Sequence, residues 1–314
     1  MPFRLLSLLL LFAFTAVDAA PRVVSIKPIH GLVAGVMADV AEPVLLIDGA
    51  QSPHDFHLRP SQARELASAD LVVWVGPELE TSLLKTLNSV AADARRLTLM
   101  TAADMERLPV RSLKTRSDHD EGHEHEHDHG HQHEHHDWDS HLWLAPHNAL
   151  ATVRAVATAL KEIDPANAEQ YQGNAQDMVQ RIQALDADLS QSLQAVKDRR
   201  FMVFHDAYQY LEHAYGLRSL AAVSISPERR PGARHLSQLR GIIKASGVAC
   251  LFSEPQFKAD VIEALVEGTS VRTAELDPLG AKLPAGEDAW FALMRGMQAA
   301  LLDCLQAPMQ ARGN

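Results

Sequence analysis

An α/β fold is predicted: two lobes, each with a mostly parallel sheet flanked by helices, joined by one long rigid helix. Three observations predict it. Short β-rich runs alternate with helical periods over residues 22–76 and again from residue 200 onward, the mark of parallel α/β sheets. Between these stretches, residues 165–199 carry no strand signal and repeat apolar residues at three- and four-residue steps. The chain of 314 residues is 46% hydrophobic, enough for one large core or two moderate ones.

The first element lies outside the mature fold. Arg4 precedes an apolar run over residues 5–14, and Val17-Asp18-Ala19 offers a small-residue cleavage site. Residues 1–19 therefore read as a signal peptide. The apolar run is well short of the ~20 residues a membrane span requires. With no Cys near the cleavage point, a lipid anchor is not expected. An N-terminal lobe (20–164), a linking helix (165–199) and a C-terminal lobe (200–314) then follow.

Within the first lobe, "RVVSI" and "PVLLID" are strand patterns, separated by "KPIHGLVAGVMADV" at helical spacing. "SPHDFHLRP" is a loop, "SQARELASAD" a helix with Ser61 at its N-cap, and "LVVWVG" a buried strand. The pattern is lost over 101–140 and resumes at "HLWLAPHNA". Tyr171, Ala175, Met178, Ile182, Leu185, Leu189, Leu193 and Val196 mark the stripe of the linking helix, which would run ~45–50 Å at 1.5 Å per residue. In the second lobe "RFMVF", "SLAAVSI", "VACLFSE" and "VRTAEL" are strands. "AYQYLEHAY", "HLSQLRGIIKAS", "KADVIEALVEG" and residues 288–305 are helices.

Charge is uneven. Residues 118–137 hold eight Asp/Glu, nine His, and no Lys or Arg, so they carry eight of the eleven net negative charges. No basic stripe remains to engage nucleic acid or anionic lipid. The stretch has no apolar residue to repay chain ordering, so it is expected to be disordered. Its histidines (His119, His123, His125, His127, His129, His131, His133, His135 and His136) alternate with acids and offer many N/O ligand sets, which suits an accessory zinc-gathering loop. Only Cys250 and Cys304 are present. In an exported chain such a pair predicts one disulfide, and closing a loop of ~50 residues contributes roughly 4 kcal/mol by chain entropy.

Ligands of open α/β sheets bind beyond the carboxyl ends of strands. His54 follows "PVLLID", His205 follows "RFMVF", Asp277 follows "VRTAEL", and His141 begins the structured segment after the histidine run. Three imidazoles and a carboxylate converging on a cleft suit Zn²⁺. His57 is the rival of His54. His30, His147, His213 and His235 have helical or helix-start settings and read as structural or surface residues. Asp55 and Asp206 are candidates to cap helices or to orient the adjacent histidine.

"DGAQSPHDFHLRPSQ", "HLWLAP", "FMVFHDAY", "SEPQF" and "LDPLG", in this order and with a His-rich insertion, resemble the zinc-specific periplasmic binding proteins of metal-uptake ABC transporters (ZnuA-type). The resemblance covers nearly the whole mature chain. It implies Zn²⁺ held between two lobes as the transported ligand by His54, His141 and His205, with Asp277 or water in the fourth position. It also implies a disulfide in the second lobe, a periplasmic monomer, and an inner-membrane ABC permease as partner, and it admits a small periplasmic zinc chaperone as a second. Some zinc members place Glu before the first ligand. Pro53 stands there in this chain, so that ligand is excluded. Manganese members resemble a two-His, two-carboxylate site with Glu where this chain has His205, and imidazole favours zinc over the harder manganese ion.

The rival of another class is a secreted zinc hydrolase, which needs a general base beside a metal-bound water. Outside the histidine run there is no H-E-x-x-H, and there is no Gly-x-Ser-x-Gly elbow. Glu254 in "SEPQF" is the one candidate base, and a structural hydrogen bond accounts for it equally well. The carrier reading is therefore preferred over an enzyme. A stand-alone zinc buffer has the same sequence requirements as a transport component.

Overall fold

The computed structural model describes residues 22–111, 138–224, 231–257 and 260–306. The expected signal peptide and the histidine run lie outside the described residues. In the first half of the chain, β1 (Arg22–Ile26) is buried at every position and leads into α1 (Lys27–Val36), which has proline in its first turn, where a missing N–H costs nothing. There follow β2 (Val44–Ile47), α2 (Pro60–Ser68), β3 (Leu71–Trp74), α3 (Thr81–Val90) and β4 (Arg95–Thr98). α2 starts at Pro60, one residue before the N-cap expected at Ser61. The ring of Pro60 pre-sets a helical φ, and Gln62 Oε1 accepts the Arg59 N–H at 2.8 Å from inside the first turn.

A short 3₁₀ turn over Leu142–Leu144 precedes α4 (Pro146–Ile163). The linking helix α5 (Ala168–Leu193) has 26 residues, roughly 39 Å, and is shorter than the 165–199 expected. Pro165 opens a separate 3₁₀ turn, in which Asp164 Oδ2 accepts from Asn167 Nδ2 at 2.9 Å and from the Tyr171 hydroxyl at 2.7 Å. At the other end the apolar stripe continues through a turn to Val196, which is buried. β5 (Phe201–His205), α6 (Gln209–Tyr215), β6 (Ser219–Ser224), α7 (Ala233–Ser246), β7 (Cys250–Ser253), α8 (Asp260–Val266), β8 (Arg272–Glu275) and α9 (Ala289–Gln306) complete the second half.

The strands form two four-stranded sheets in the orders β2-β1-β3-β4 and β6-β5-β7-β8. All pairings are parallel. The two halves thus repeat one topology, and each has its switch point between the first and third strands, β1/β3 and β5/β7. Ligands of such sheets sit in the crevice beyond the strand ends there.

Strand alternation decides where the core lies. In β5, Phe201 and Val203 join a hydrophobic cluster that includes Val23 and Val73 of the first sheet, Met178 and Leu185 of α5, and Trp290 of α9. Met202 and Phe204 point the other way, into a smaller cluster with Leu239 and Ile243 of α7 and Ile262 and Leu265 of α8. One core therefore joins both sheets, and α7 and α8 cover the outer face of the second. Cys250 of β7 and Cys304 of α9 form the disulfide, with a sequence separation of 54.

Candidate metal centre

Three histidines meet where the two halves face each other. His54 sits in a 3₁₀ turn, Pro53–Asp55, after β2. His141 immediately precedes the Leu142–Leu144 turn, and His205 is the last residue of β5. His141 and His205 are 7% and 6% exposed. His141 Nε2 lies 3.4 Å from His54 Nε2 and 3.3 Å from His205 Nε2. One ligand atom from each of the three lies within 4.8 Å of the others. Nitrogens held ~2.0–2.1 Å from a tetrahedral zinc ion stand ~3.3–3.4 Å apart, so the observed spacing suits that ion.

Buried carboxylates orient two of the rings. His141 Nδ1 is 2.8 Å from Asp139 Oδ1, which also accepts the His141 backbone N–H at 2.9 Å. His205 Nδ1 is 2.7 Å from Glu254 Oε1, which also accepts the His205 N–H at 3.2 Å. An acceptor at Nδ1 places the neutral ring's proton there and leaves the Nε2 lone pair for a metal. Glu254 follows β7, so the Glu254–His205 pair sits at the β5/β7 switch point. Burial lowers the proton affinity of His205, but the charge and hydrogen bond of Glu254 outweigh it and raise the pKa above the ordinary imidazole range.

Asp277 is placed differently. Its Oδ1 accepts from Gln256 Nε2 at 2.9 Å and Leu279 N at 3.0 Å, and its Oδ2 accepts from Ala281 N at 2.6 Å. The carboxylate closes the turn after β8, and the cluster of three does not include it. His57 is exposed. The Nε2 atoms of His30, His147 and His235 meet the carbonyls of Pro43, Asp104 and Val223, and exposed His213 faces Glu106. Asp206 does not orient His205. It pairs with Arg111 at 2.6 Å, as Glu212 does at 2.8 Å.

Asp139 and the orienting role of Glu254 escaped sequence reasoning. A D-x-H pattern is too common to single out Asp139, and Glu254 meets His205 from 49 positions away. The small cavity holding the histidines is walled by Pro53, Trp143, Phe257, Pro278 and Leu279, with Ser52, Glu254 and Gln256 as further polar members. Trp143 Nε1 donates to the Pro278 carbonyl at 2.7 Å, which fixes the indole across the cleft.

Residues 23–304 match the family described as zinc-uptake complex component A, periplasmic. A high-affinity zinc uptake system protein ZnuA of Brucella abortus is 39% identical over 303 residues, covering 90% of this chain and 91% of that one. The protein of the same name from Yersinia pestis is 36% identical over 313 residues, covering 96% and 95%. A crystal structure of ZnuA has a TM-score of 0.76 at 23% identity, over 92% of this chain and all of that one, a likeness of fold. A zinc-bound ZnuA deletion mutant has a TM-score of 0.74 at 25% identity, over 93% of this chain and all of that one.

Proposed function

The chain belongs to the family of periplasmic component A proteins of zinc-uptake complexes, and from that premise we propose that it captures Zn²⁺ between its lobes and delivers it to an inner-membrane ABC permease. The observation that carries this reading is the convergence of the His54, His141 and His205 Nε2 atoms at the spacing of tetrahedral zinc ligands. Water takes the fourth position in this reading, because Asp277 lies outside the cluster of three and does not line its cavity. The protein acts as a monomeric periplasmic carrier, exported by residues 1–19, with a small zinc chaperone as a second partner. Among the described residues no helix is long and apolar enough to cross a membrane. Glu254, the one candidate base, uses Oε1 to orient His205 through Nδ1, a role that supports a carrier rather than a hydrolase. Residues 118–137 serve as an accessory zinc-gathering segment.

The test is zinc titration in a variant lacking residues 118–137, so that the segment cannot mask a lost ligand. One tight site is expected to survive the deletion while weaker stoichiometry disappears. In that background H141A and H205A should each lose more than the ~10–100-fold typical of removing an outer-shell partner, and H57A should change little. Protons compete for the same nitrogens, and Glu254 raises the proton affinity of His205. Affinity should therefore fall with falling pH, starting above the ordinary imidazole value of ~6.5. Parental affinity in H141A and H205A would refute the assignment, and loss of the tight site on deletion would make the histidine run the primary receptor.

A further inference from the structure

Gln256 lines the metal cavity alongside the three histidines. Its Nε2 donates to Asp277 Oδ1 at 2.9 Å. Asp277 decides which end of the amide it meets. Both of its oxygens already accept backbone N–H groups, from Leu279 and Ala281, so it presents acceptors only and the amide must turn its NH₂ toward it. The other end, Gln256 Oε1, is buried and has no hydrogen-bond partner among the described residues. Folded proteins seldom leave such an oxygen unpaired. The Ser52 hydroxyl is a donor in the cavity wall, but among the described residues it does not bond Gln256 Oε1. Pro53, Phe257, Pro278 and Leu279 present apolar side chains, and the Trp143 N–H is spent on Pro278. A donor carried in with the cargo would complete it.

We propose that Gln256, held by Asp277, is the positioning residue for the fourth zinc ligand: its Oε1 accepts a hydrogen bond from the metal-bound water. This deepens the three-histidine reading and rests on it. Three imidazoles leave a tetrahedral ion one open position, and water on a zinc ion is polarised into a strong donor. Asp277 then acts through Gln256 and not as a ligand. The arrangement also selects what occupies the fourth position. Water donates to Oε1, whereas an anion there would set lone pairs against lone pairs, so the site discriminates against anionic fourth ligands.

The test uses the mature full-length protein and the variants Q256M, D277N and the pair combined. Zinc is competed against a chelator at less than one equivalent, so that the tightest site is read. Q256M should weaken zinc by about 10-fold, at the low end for losing an outer-shell partner. D277N should cost no more, and the double variant no more than Q256M. The absorption spectrum of the cobalt-loaded protein should stay tetrahedral throughout, because no protein ligand is lost. Azide should bind cobalt-loaded Q256M about 10-fold more tightly than the parent, a readout that loosened packing would not produce. If Q256M fails to fold, Q256A carries the same expectations. Unchanged zinc and azide affinities in the Gln256 variants would overturn the proposal. So would a D277N loss larger than that of Q256M with a changed cobalt spectrum, because Asp277 would then be a ligand. Failure of the three-histidine reading would show separately, as parental affinity in H205A.

Discussion

Glu80 is 0% exposed at the turn between β3 and α3. Its carboxylate accepts the backbone N–H groups of Val75 at 3.3 Å and Gly76 at 3.0 Å. Burial outweighs those hydrogen bonds and pushes the pKa from its ordinary 4.5 up to about 7. The folded state therefore holds a proton that the unfolded state releases between these values. The stabilisation from this group is complete below about pH 4.5 and is lost as pH rises through about 7, a change of roughly 3 kcal/mol. In urea unfolding of the metal-free protein, stability relative to E80Q should fall by that order across the window. Parallel curves for parent and variant would show that Glu80 is ionised throughout. The histidine cluster was legible to a different degree. His205 could be read because "RFMVF" is a continuous buried run with the histidine at its end, and His54 because a loop leaves "PVLLID" just before it. Asp277 also follows a strand, but position along a strand does not reveal that three N–H donors already surround its carboxylate. Asp139 and Gln256 carry no periodic signal, since what they do depends on contacts made across the fold.

At the scale of elements, the stripe of α5 was legible because its buried positions, from Tyr171 to Leu193, recur at helical spacing against one core. β4 was not. Its sequence is Arg95-Arg96-Leu97-Thr98, no residue in it is fully buried, and pairing with β3 alone makes it a strand. Helix contacts between the halves were equally invisible, because they depend on small residues without a pattern. A Cβ on Gly31 of α1 would stand 2.9 Å from the backbone N of Trp290 in α9, so the two helices approach only because that carbon is missing. A Cβ on Gly35 would meet the Met178 thioether at 2.3 Å, the far end of a side chain with several rotamers. Alanine gains up to ~1 kcal/mol over glycine inside a helix, while overpacking against immovable backbone costs ~1–3 kcal/mol. G31A should accordingly destabilise the protein by about 1–2 kcal/mol and G35A should be close to neutral, both read by denaturant midpoints. Equal effects would mean that α1 and α9 can separate without cost.

For the whole molecule the two lobes were legible and their junction was not. Alternating strands and helices announce two sheets, but nothing in that pattern says that one cluster runs from Val23 through Met178 to Trp290. Polar contacts reinforce it. Lys27 Nζ at the start of α1 donates to the carbonyls of Gly280 at 3.1 Å and Leu283 at 2.8 Å and pairs with Asp48 at 2.8 Å. The Tyr210 hydroxyl of α6 donates to the Asp139 carbonyl at 2.9 Å and accepts the Leu108 N–H at 3.0 Å. A wide hinge rotation would have to open this shared core, and packed interiors resist such deformation. The segments able to respond to the cargo are the loops that carry His54, His141 and much of the cavity wall: residues 52–56, 139–143 and 254–257. Zinc that binds only the folded state also stabilises it by mass action, about 2.7 kcal/mol at 100 times Kd. X-ray scattering of metal-free and zinc-loaded protein should therefore give closely similar radii of gyration, while amide exchange slows most in those three loops and the midpoint of thermal unfolding rises with free zinc. A lobe rotation of tens of degrees on loading, or protection spread evenly through both sheets, would mean that the shared core opens in each cycle and that the permease recognises a global change of shape.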